Sequence, residues 1–177
     1  MVFCGLDCKP KRFRLADLKS LEPASHTSPG AGGTIRTHVP LICQIFNCVI
    51  EGVTWEGFRL GDVLARTGLD AGGGNFFAFY SRDGHYFEVL TRAEALDPRV
   101  LLATGMNGTP LPHEHGGPMR LVVPFLQGYK SVKWLAGIRV FPNNPLGIKT
   151  LLGQSKDGSL ARAFQERYGL FPPEAGP

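Results

Sequence analysis

At 177 residues, 43% apolar and 19% charged, the chain has an ordinary globular composition and enough mass for one core, but hardly a second. Its 23 glycines and 14 prolines point to many turns and short strands and exclude a bundle of long helices. The formal charge of +4 favours anionic ligands, yet the cations are scattered without a Lys/Arg run or an aromatic–basic ladder, so a phosphorylated small molecule fits better than nucleic acid.

In chain order, Leu15, Leu18 and Leu21 stand at helical spacing within 14–21, and the Pro/Ser/Gly stretch 23–33 ends that helix in a loop. Segment 34–50 is mostly β-branched or apolar and reads as extended, with Pro40 marking an edge or bend and Cys43 and Cys48 on or beside the strand. Within 58–68, Leu60, Val63 and Leu64 share a helical face, and Gly68 stands where a C-terminal cap belongs. Runs 76–80 and 85–90 flank Arg82-Asp83-Gly84, a turn signal that predicts a β-hairpin. Thr91 and Glu94 have the spacing of a capping box, opening a short helix that ends before Pro98. Strands are expected at 101–106, 121–123 and 137–141, with Asn107-Gly108 turning the chain between the first two. Beyond Pro142 a Pro/Gly-bearing stretch carries one helix over 159–168. The expected architecture is α+β and β-rich, with mixed sheets and short helices in a single domain over 1–177, its core at about 2–141 and its tail at 142–177.

Candidate binding residues are densest in 110–134, PLPHEHGGPMRLVVPFLQGYKSVKW. The apolar run Leu121-Val122-Val123 ends at Pro124. On either side Gly116, Gly117 and Gly128 lack the Cβ that would hold another backbone or a ligand away. His113, His115, Arg120, Lys130 and Lys133 supply donors, so the segment reads as an anion site. Arginine offers bidentate donors to a phosphate, and a glycine pair lets main-chain N–H groups approach it. Taken singly, Lys130 reads as a solvated strand-edge lysine, and Trp55 and Trp134 as core aromatics.

Three motifs then occur in order: Trp55-Glu56-Gly57-Phe58-x-Leu60-x-x-Val63-Leu64, Leu111-Pro112-x-x-His115-Gly116-Gly117-Pro118-x-Arg120-Leu121-Val122-Val123-Pro124, and Gly128-Tyr129-Lys130-Ser131-Val132-Lys133-Trp134. Together they resemble the molybdopterin-binding domain of the sulfite oxidase family over roughly 2–140. The resemblance implies that family's fold and a molybdenum–molybdopterin (Mo-MPT) cofactor. It places His115 and Arg120 at positions that contact the pterin pyrophosphate, and Ser131, Val132 and Lys133 in a second pterin-contacting run, with the main-chain donors of Val132 assisting. Ser81 matches a position whose hydroxyl contacts the cofactor, although a serine that opens the turn before Asp83-Gly84 explains it equally well. Arg120 is expected to serve the ligand and to leave the stability of the empty fold near its original value.

Four cysteines occur as Cys4-x3-Cys8 and Cys43-x4-Cys48. The family binds molybdenum through a thiolate on the strand before its W-x-G element, where a soft sulfur suits the metal. The resemblance assigns that role, as metal ligand and catalytic residue, to Cys48. Cys43 is the alternative, because Cys48-Val49-Ile50-Glu51-Gly52-Val53 lacks the aromatic and the serine found after the cysteine in the methionine-sulfoxide reductase branch. A rival reading takes all four cysteines as a tetrahedral zinc staple. His38, His85 and Tyr86 are candidates for lining a substrate pocket, and Arg36, Arg59 and Arg82 for recognising an oxyanion.

The function expected from the resemblance is oxygen-atom transfer on sulfite, a sulfoxide or a similar small substrate. The sequence has no haem, flavin or iron–sulfur signature, so a separate electron-transfer partner is expected. A non-catalytic pterin-binding module and a zinc-stapled interaction domain are the alternatives from other classes. No stretch of about 18 apolar residues occurs, so no membrane span is expected. The N-terminus lacks the order of a secretory signal; the chain as given reads as cytoplasmic, and as periplasmic if a leader has been removed.

Overall fold

The computed structural model describes residues 1–5, 10–19, 34–69 and 72–174; Cys8, Leu21 and the expected loop over 23–33 lie outside them. Along the chain run β1 (Val2–Cys4), β2 (Pro10–Arg12), α1 (Leu15–Lys19), β3 (Ile35–His38), β4 (Leu41–Cys43), β5 (Cys48–Ile50), β6 (Thr54–Arg59) and α2 (Leu60–Thr67). There follow β7 (Phe76–Ser81), β8 (Phe87–Thr91), α3 (Arg92–Leu96), β9 (Leu101–Met106), β10 (Thr109–Pro110), β11 (Arg120–Val122), β12 (Leu135–Phe141), α4 (Ile148–Leu151) and α5 (Arg162–Tyr168). Strands dominate and the helices are short, as expected for the α+β class.

One sheet has the order β2-β1-β12-β7-β8, with β1 parallel to β12 and the other neighbours antiparallel. The second has the order β10-β9-β6-β3, and β11 joins β9 on the edge that β10 begins: Thr109 and Pro110 face Met106 and Gly105, then Arg120 to Val122 face Ala103 to Leu101. The β4–β5 hairpin forms a two-stranded sheet of its own. Asn107-Gly108 therefore turns the chain into β10, and β11 returns to the same strand later. Both turn residues have positive φ, 53° and 81°, as a tight two-residue hairpin requires.

Local signals and structure agree where the signal is short-ranged. Thr91 and Glu94 form both bonds of the capping box at α3. Gly68, at φ 70°, closes α2 with its N–H on the carbonyls of Ala65 and Leu64. Asp83 Oδ1 accepts the His85 N–H at 3.0 Å in the turn between β7 and β8. In segment 34–50 the extended chain is interrupted. A 3-10 turn at Gln44–Phe46 and left-handed Asn47 (φ 45°) fold it into the β4–β5 hairpin, which sets Cys43 opposite Cys48. Asparagine tolerates that backbone, but what pins the turn is distant: the Gln44 N–H donates to Gln127 Oε1 at 2.9 Å.

The second sheet is covered on both faces, which explains why β11 is buried throughout instead of alternating, with Leu121, Val122 and the following Val123 all apolar. Leu102, Leu121 and Val123 belong to the main core with Phe77, Phe79 and Leu64, whereas Leu101, Ala103 and Val122 pack on the other side with Trp55, Leu41 and Leu111. Each fully buried Leu or Phe contributes about 1.5–3 kcal/mol. Leu160 and Leu170, from beyond Pro142, are buried in the main core as well. Gly57 lies at the irregularity between β6 and β9, where an added Cβ would collide with the Leu102–Ala103 backbone. The glycine of the W-x-G element is thus what lets the two strands close.

Candidate functional site

A cavity of about 420 Å³ opens where the β4–β5 hairpin, the β7–β8 turn, β11 and the run 128–134 meet. The hairpin contributes Cys43, Cys48 and Phe46; the turn contributes Ser81, Asp83 and Tyr86; Arg120, Tyr129, Ser131, Lys133 and Trp134 complete the walls. Of the residues expected at a ligand site, Cys48, Ser81, Arg120, Ser131 and Lys133 line this space. His115 and Val132 are not among its lining residues.

Arg120 is 3% exposed and its guanidinium lies 5.2 Å from the Trp55 ring centre. Nε donates to the Leu121 carbonyl (3.3 Å), Nη1 to the His115 carbonyl (2.9 Å) and Nη2 to the Ser131 carbonyl (3.0 Å). One N–H on each terminal nitrogen stays available. Burial lowers the guanidinium to about 10, and among the described residues no carboxylate offsets the shift. At neutral pH it is a buried cation that, among the described residues, is balanced by carbonyl dipoles and the Trp55 ring face without a carboxylate, a position that attracts an anion.

Lys133 stands nearby with its Nζ donating to the Glu114 carbonyl at 2.8 Å. Its ammonium is lowered by burial first and by the Arg120 charge second, while Cys48 and Glu114 act in the opposite direction. Two cations that repel each other across one cavity are stabilised when an anion sits between them. Ser131 is fixed beside them, its hydroxyl accepting the Val123 N–H at 2.9 Å.

Ser81 serves the turn while lining the cavity. Its hydroxyl bonds the Asp83 carboxylate and the Tyr86 carbonyl, and it accepts the Tyr86 N–H at 3.3 Å. That bond from Ser81 is the largest of the influences holding Asp83 below the usual carboxylate range. Tyr86 donates to the Tyr129 carbonyl (2.7 Å) and Tyr129 to the Ser155 carbonyl (2.8 Å). Burial raises both phenols, Tyr129 to about 12, so both are neutral donors at ordinary pH.

His115 reaches the site through its backbone, as the acceptor for Arg120 Nη1. The Val132 N–H, expected to assist as a donor, instead donates to the Lys130 carbonyl at 3.1 Å. Lys130 differs from the expected solvated lysine: it is 2% exposed and paired with buried Glu88. Trp134 differs from the expected core aromatic: it is half-buried, donates from Nε1 to the His113 carbonyl at 2.8 Å, and faces the cavity. The three glycines admit the protein's own chain to close contact. A Cβ on Gly116 would lie 2.8 Å from the Lys133 Cβ, one on Gly128 3.0 Å from the Cys43 Cβ, and one on Gly117 would strike the Leu111 carbonyl.

Among the substrate-pocket candidates, Tyr86 lines the cavity, whereas His38 meets Thr54 Oγ1 at 3.3 Å and His85 is exposed. Arg36 pairs with Glu56 at 3.5 Å, and Arg82 lines a separate cavity of about 220 Å³. Lys149, Phe46 and Tyr129 also reach the site without having been expected there. Only Tyr129 had a sequence signal, its place inside the 128–134 motif.

The hairpin presents Cys43 and Cys48 as register partners, Cys43 partly buried and Cys48 exposed. Of the four cysteines of the zinc staple, Cys8 lies outside the described residues, and β1, which carries Cys4, pairs with β2 and β12. Among the described residues no cluster of three His, Cys, Asp or Glu side chains could hold a metal unaided.

Residues 2–148 match the family described as the oxidoreductase molybdopterin binding domain. The chain belongs to this family. Similar relatives include sulfite oxidase of Arabidopsis thaliana, 30% identical over 96% of this chain and 45% of that protein. The catalytic subunit MsrP of protein-methionine-sulfoxide reductase from Xanthomonas campestris pv. campestris is 36% identical over 52% of this chain and 33% of its own. The chain thus spans less than half the length of these curated relatives. Sulfane dehydrogenase SoxCD from Paracoccus pantotrophus shares the fold, with a TM-score of 0.65 and 23% identity over 81% of this chain and 38% of that one. Membership agrees with the resemblance carried by the three motifs, and the donor set suits the family's cofactor: guanidinium and ammonium for an anionic tail, a soft thiolate for a high-valent metal already held by sulfur. No helix among the described residues is long and apolar enough to cross a membrane.

Proposed function

We propose that this chain is a molybdenum–molybdopterin oxidoreductase unit that performs oxygen-atom transfer on a small substrate and exchanges electrons with a separate carrier. The observation that supports this most is the convergence, in one cavity, of the cations Arg120 and Lys133 with the hairpin thiols Cys43 and Cys48. When bound, the cofactor supplies two-electron redox chemistry at its metal. Arg120, through its two remaining N–H groups, and Lys133 hold the anionic tail; Ser131 shapes the floor between them. Tyr86, Tyr129, Trp134 and Phe46 limit water around the reacting centre.

Of the two thiols, the ligand role falls to Cys43 in preference to Cys48. A ligand is effective when its direction is fixed before the metal arrives. Cys43 is partly buried, the next residue is tied through its N–H to Gln127, and Gly128 lies against its Cβ. Cys48 is exposed and follows left-handed Asn47.

The test is elemental analysis and visible absorption of each Cys→Ser variant made in a host that synthesises molybdopterin. Cys43→Ser is expected to lose the thiolate-to-metal charge-transfer absorption and dye-linked turnover, and Cys48→Ser to keep the absorption. The reverse pattern would return the ligand role to Cys48, and wild-type protein without molybdenum would leave a pterin-binding module.

A further inference from the structure

Cys43 and Cys48 are directly opposed across the two antiparallel strands of one hairpin, and both line the same cavity. Directly opposed residues project to the same side, with Cα atoms about 4.5–5.5 Å apart. Disulfides span roughly 4.4–6.8 Å, so the pair can close without moving the backbone far. Both thiols are free, and Cys48 is exposed, which gives a small disulfide in solution an approach to it. The loop 44–47 between them is short, so closing it constrains the unfolded chain little and the bond stays easy to reduce.

We infer that Cys43 and Cys48 form a reversible dithiol–disulfide site, and that the closed form cannot supply a thiolate to the cavity. Cys48 attacks a low-molecular-weight disulfide such as oxidised glutathione and forms a mixed disulfide, releasing one thiol. Cys43 then displaces the second. One Sγ–Sγ bond forms within the chain, the small disulfide is reduced to two thiols, and the two protons leave with them. The consequence for metal uptake rests on the function proposed above; the closure itself does not.

Trypsin tests this cleanly, because peptide 37–59 contains Cys43 and Cys48 and neither of the other cysteines. The cofactor-free chain is equilibrated with glutathione at graded ratios, blocked with an alkylating agent, digested and weighed. The expected result is conversion of the doubly alkylated peptide 37–59 to an unalkylated form lighter by two hydrogens, reversed by excess reduced glutathione. In a parallel series the samples receive molybdenum–molybdopterin, and bound molybdenum is expected to fall in proportion to the closed fraction. In Cys48→Ser, uptake should no longer depend on the oxidant. A peptide that stays doubly alkylated or carries only glutathione adducts, or cross-links to Cys4 or Cys8 in its place, overturns the inference whatever the metal does. Closure with undiminished uptake overturns instead the reading that a hairpin thiol binds the metal.

Discussion

Lys130 Nζ lies 3.2 Å from Glu88 Oε2 with the two side chains 2% and 0% exposed, an ionic contact between the 128–134 run and β8. Nζ also donates to the carbonyls of Val89 (3.1 Å) and Lys156 (3.0 Å). Glu88 Oε1 accepts the Lys149 N–H at 2.8 Å. One pair therefore ties β8, the 128–134 run and the segment beyond Pro142 together.

Breaking this pair from one side leaves an unbalanced buried charge. Lys130→Met should destabilise the protein by about 3–5 kcal/mol in urea unfolding, and adding Glu88→Gln should recover much of the loss. Burial already raises the Glu88 carboxyl while Lys130 draws it back. A raised folded pKa gives a contribution that is complete below the unfolded value and is lost as pH rises through the folded one. Without Lys130 the folded value rises further, so the deficit of Lys130→Met should be small in acid and widen as pH rises. A deficit independent of pH would refute the assignment.

Arg120→Ala should lower stability as well as cofactor content. The expectation that this residue serves only the ligand does not survive its three bonds to backbone carbonyls, which tie the turn at 113–115 and the 131–133 run to β11. Leaving buried carbonyls unpaired costs about 1–3 kcal/mol. Arg120→Lys should fail nearly as badly, since an ammonium cannot span three acceptors in one plane. Unfolding curves matching wild type for both variants would show that the carbonyl contacts carry no energy.

What the sequence made legible was local. The capping box at Thr91, the Gly68 cap and the Asp83-Gly84 hairpin are each decided within a few residues, and the structure has them in place. The break in 34–50 was not legible, because the turn is held by Gln127, far along the chain. Lys130 was misread for the same reason: a lysine on a strand edge is normally solvated, and its burial depends on Glu88 and on the carbonyl of Lys156, which arrives from beyond Pro142. The glycines were flagged for close approach, but only the three-dimensional contacts name Lys133 and Cys43 as the neighbours.

Anion binding at the Arg120–Lys133 pair should weaken in alkali. The Lys133 ammonium is held below its ordinary value by burial first and by the Arg120 charge second, so it loses charge earlier than a free lysine while the guanidinium stays charged. A bound anion stabilises the charged ammonium, and binding should take up protons as pH approaches the range where Lys133 titrates. Titration calorimetry with sulfate, which carries no titrating proton from neutrality upwards, in two buffers of different ionisation enthalpy should show no proton uptake near neutrality and measurable uptake in alkali as Lys133 begins to lose its proton. Equal heats in both buffers at the higher pH would place the anion elsewhere.

Gly128 offers a test of Cys43 that leaves both sulfurs in place. A methyl group there would come within 3.0 Å of the Cys43 Cβ, so Gly128→Ala must push the cysteine or its strand aside. With Cys43 as the ligand, the variant should fold yet bind less molybdenum, with a shifted charge-transfer band. Gly61→Ala is the matched control: it lies in α2, its new Cβ would be 3.6 Å from the nearest atom, and alanine should stabilise that helix by about 0.5–1 kcal/mol without touching the metal. A Gly128→Ala spectrum superimposable on wild type at full molybdenum content would remove Cys43 from the metal and leave Cys48, across the hairpin, as the thiolate to examine.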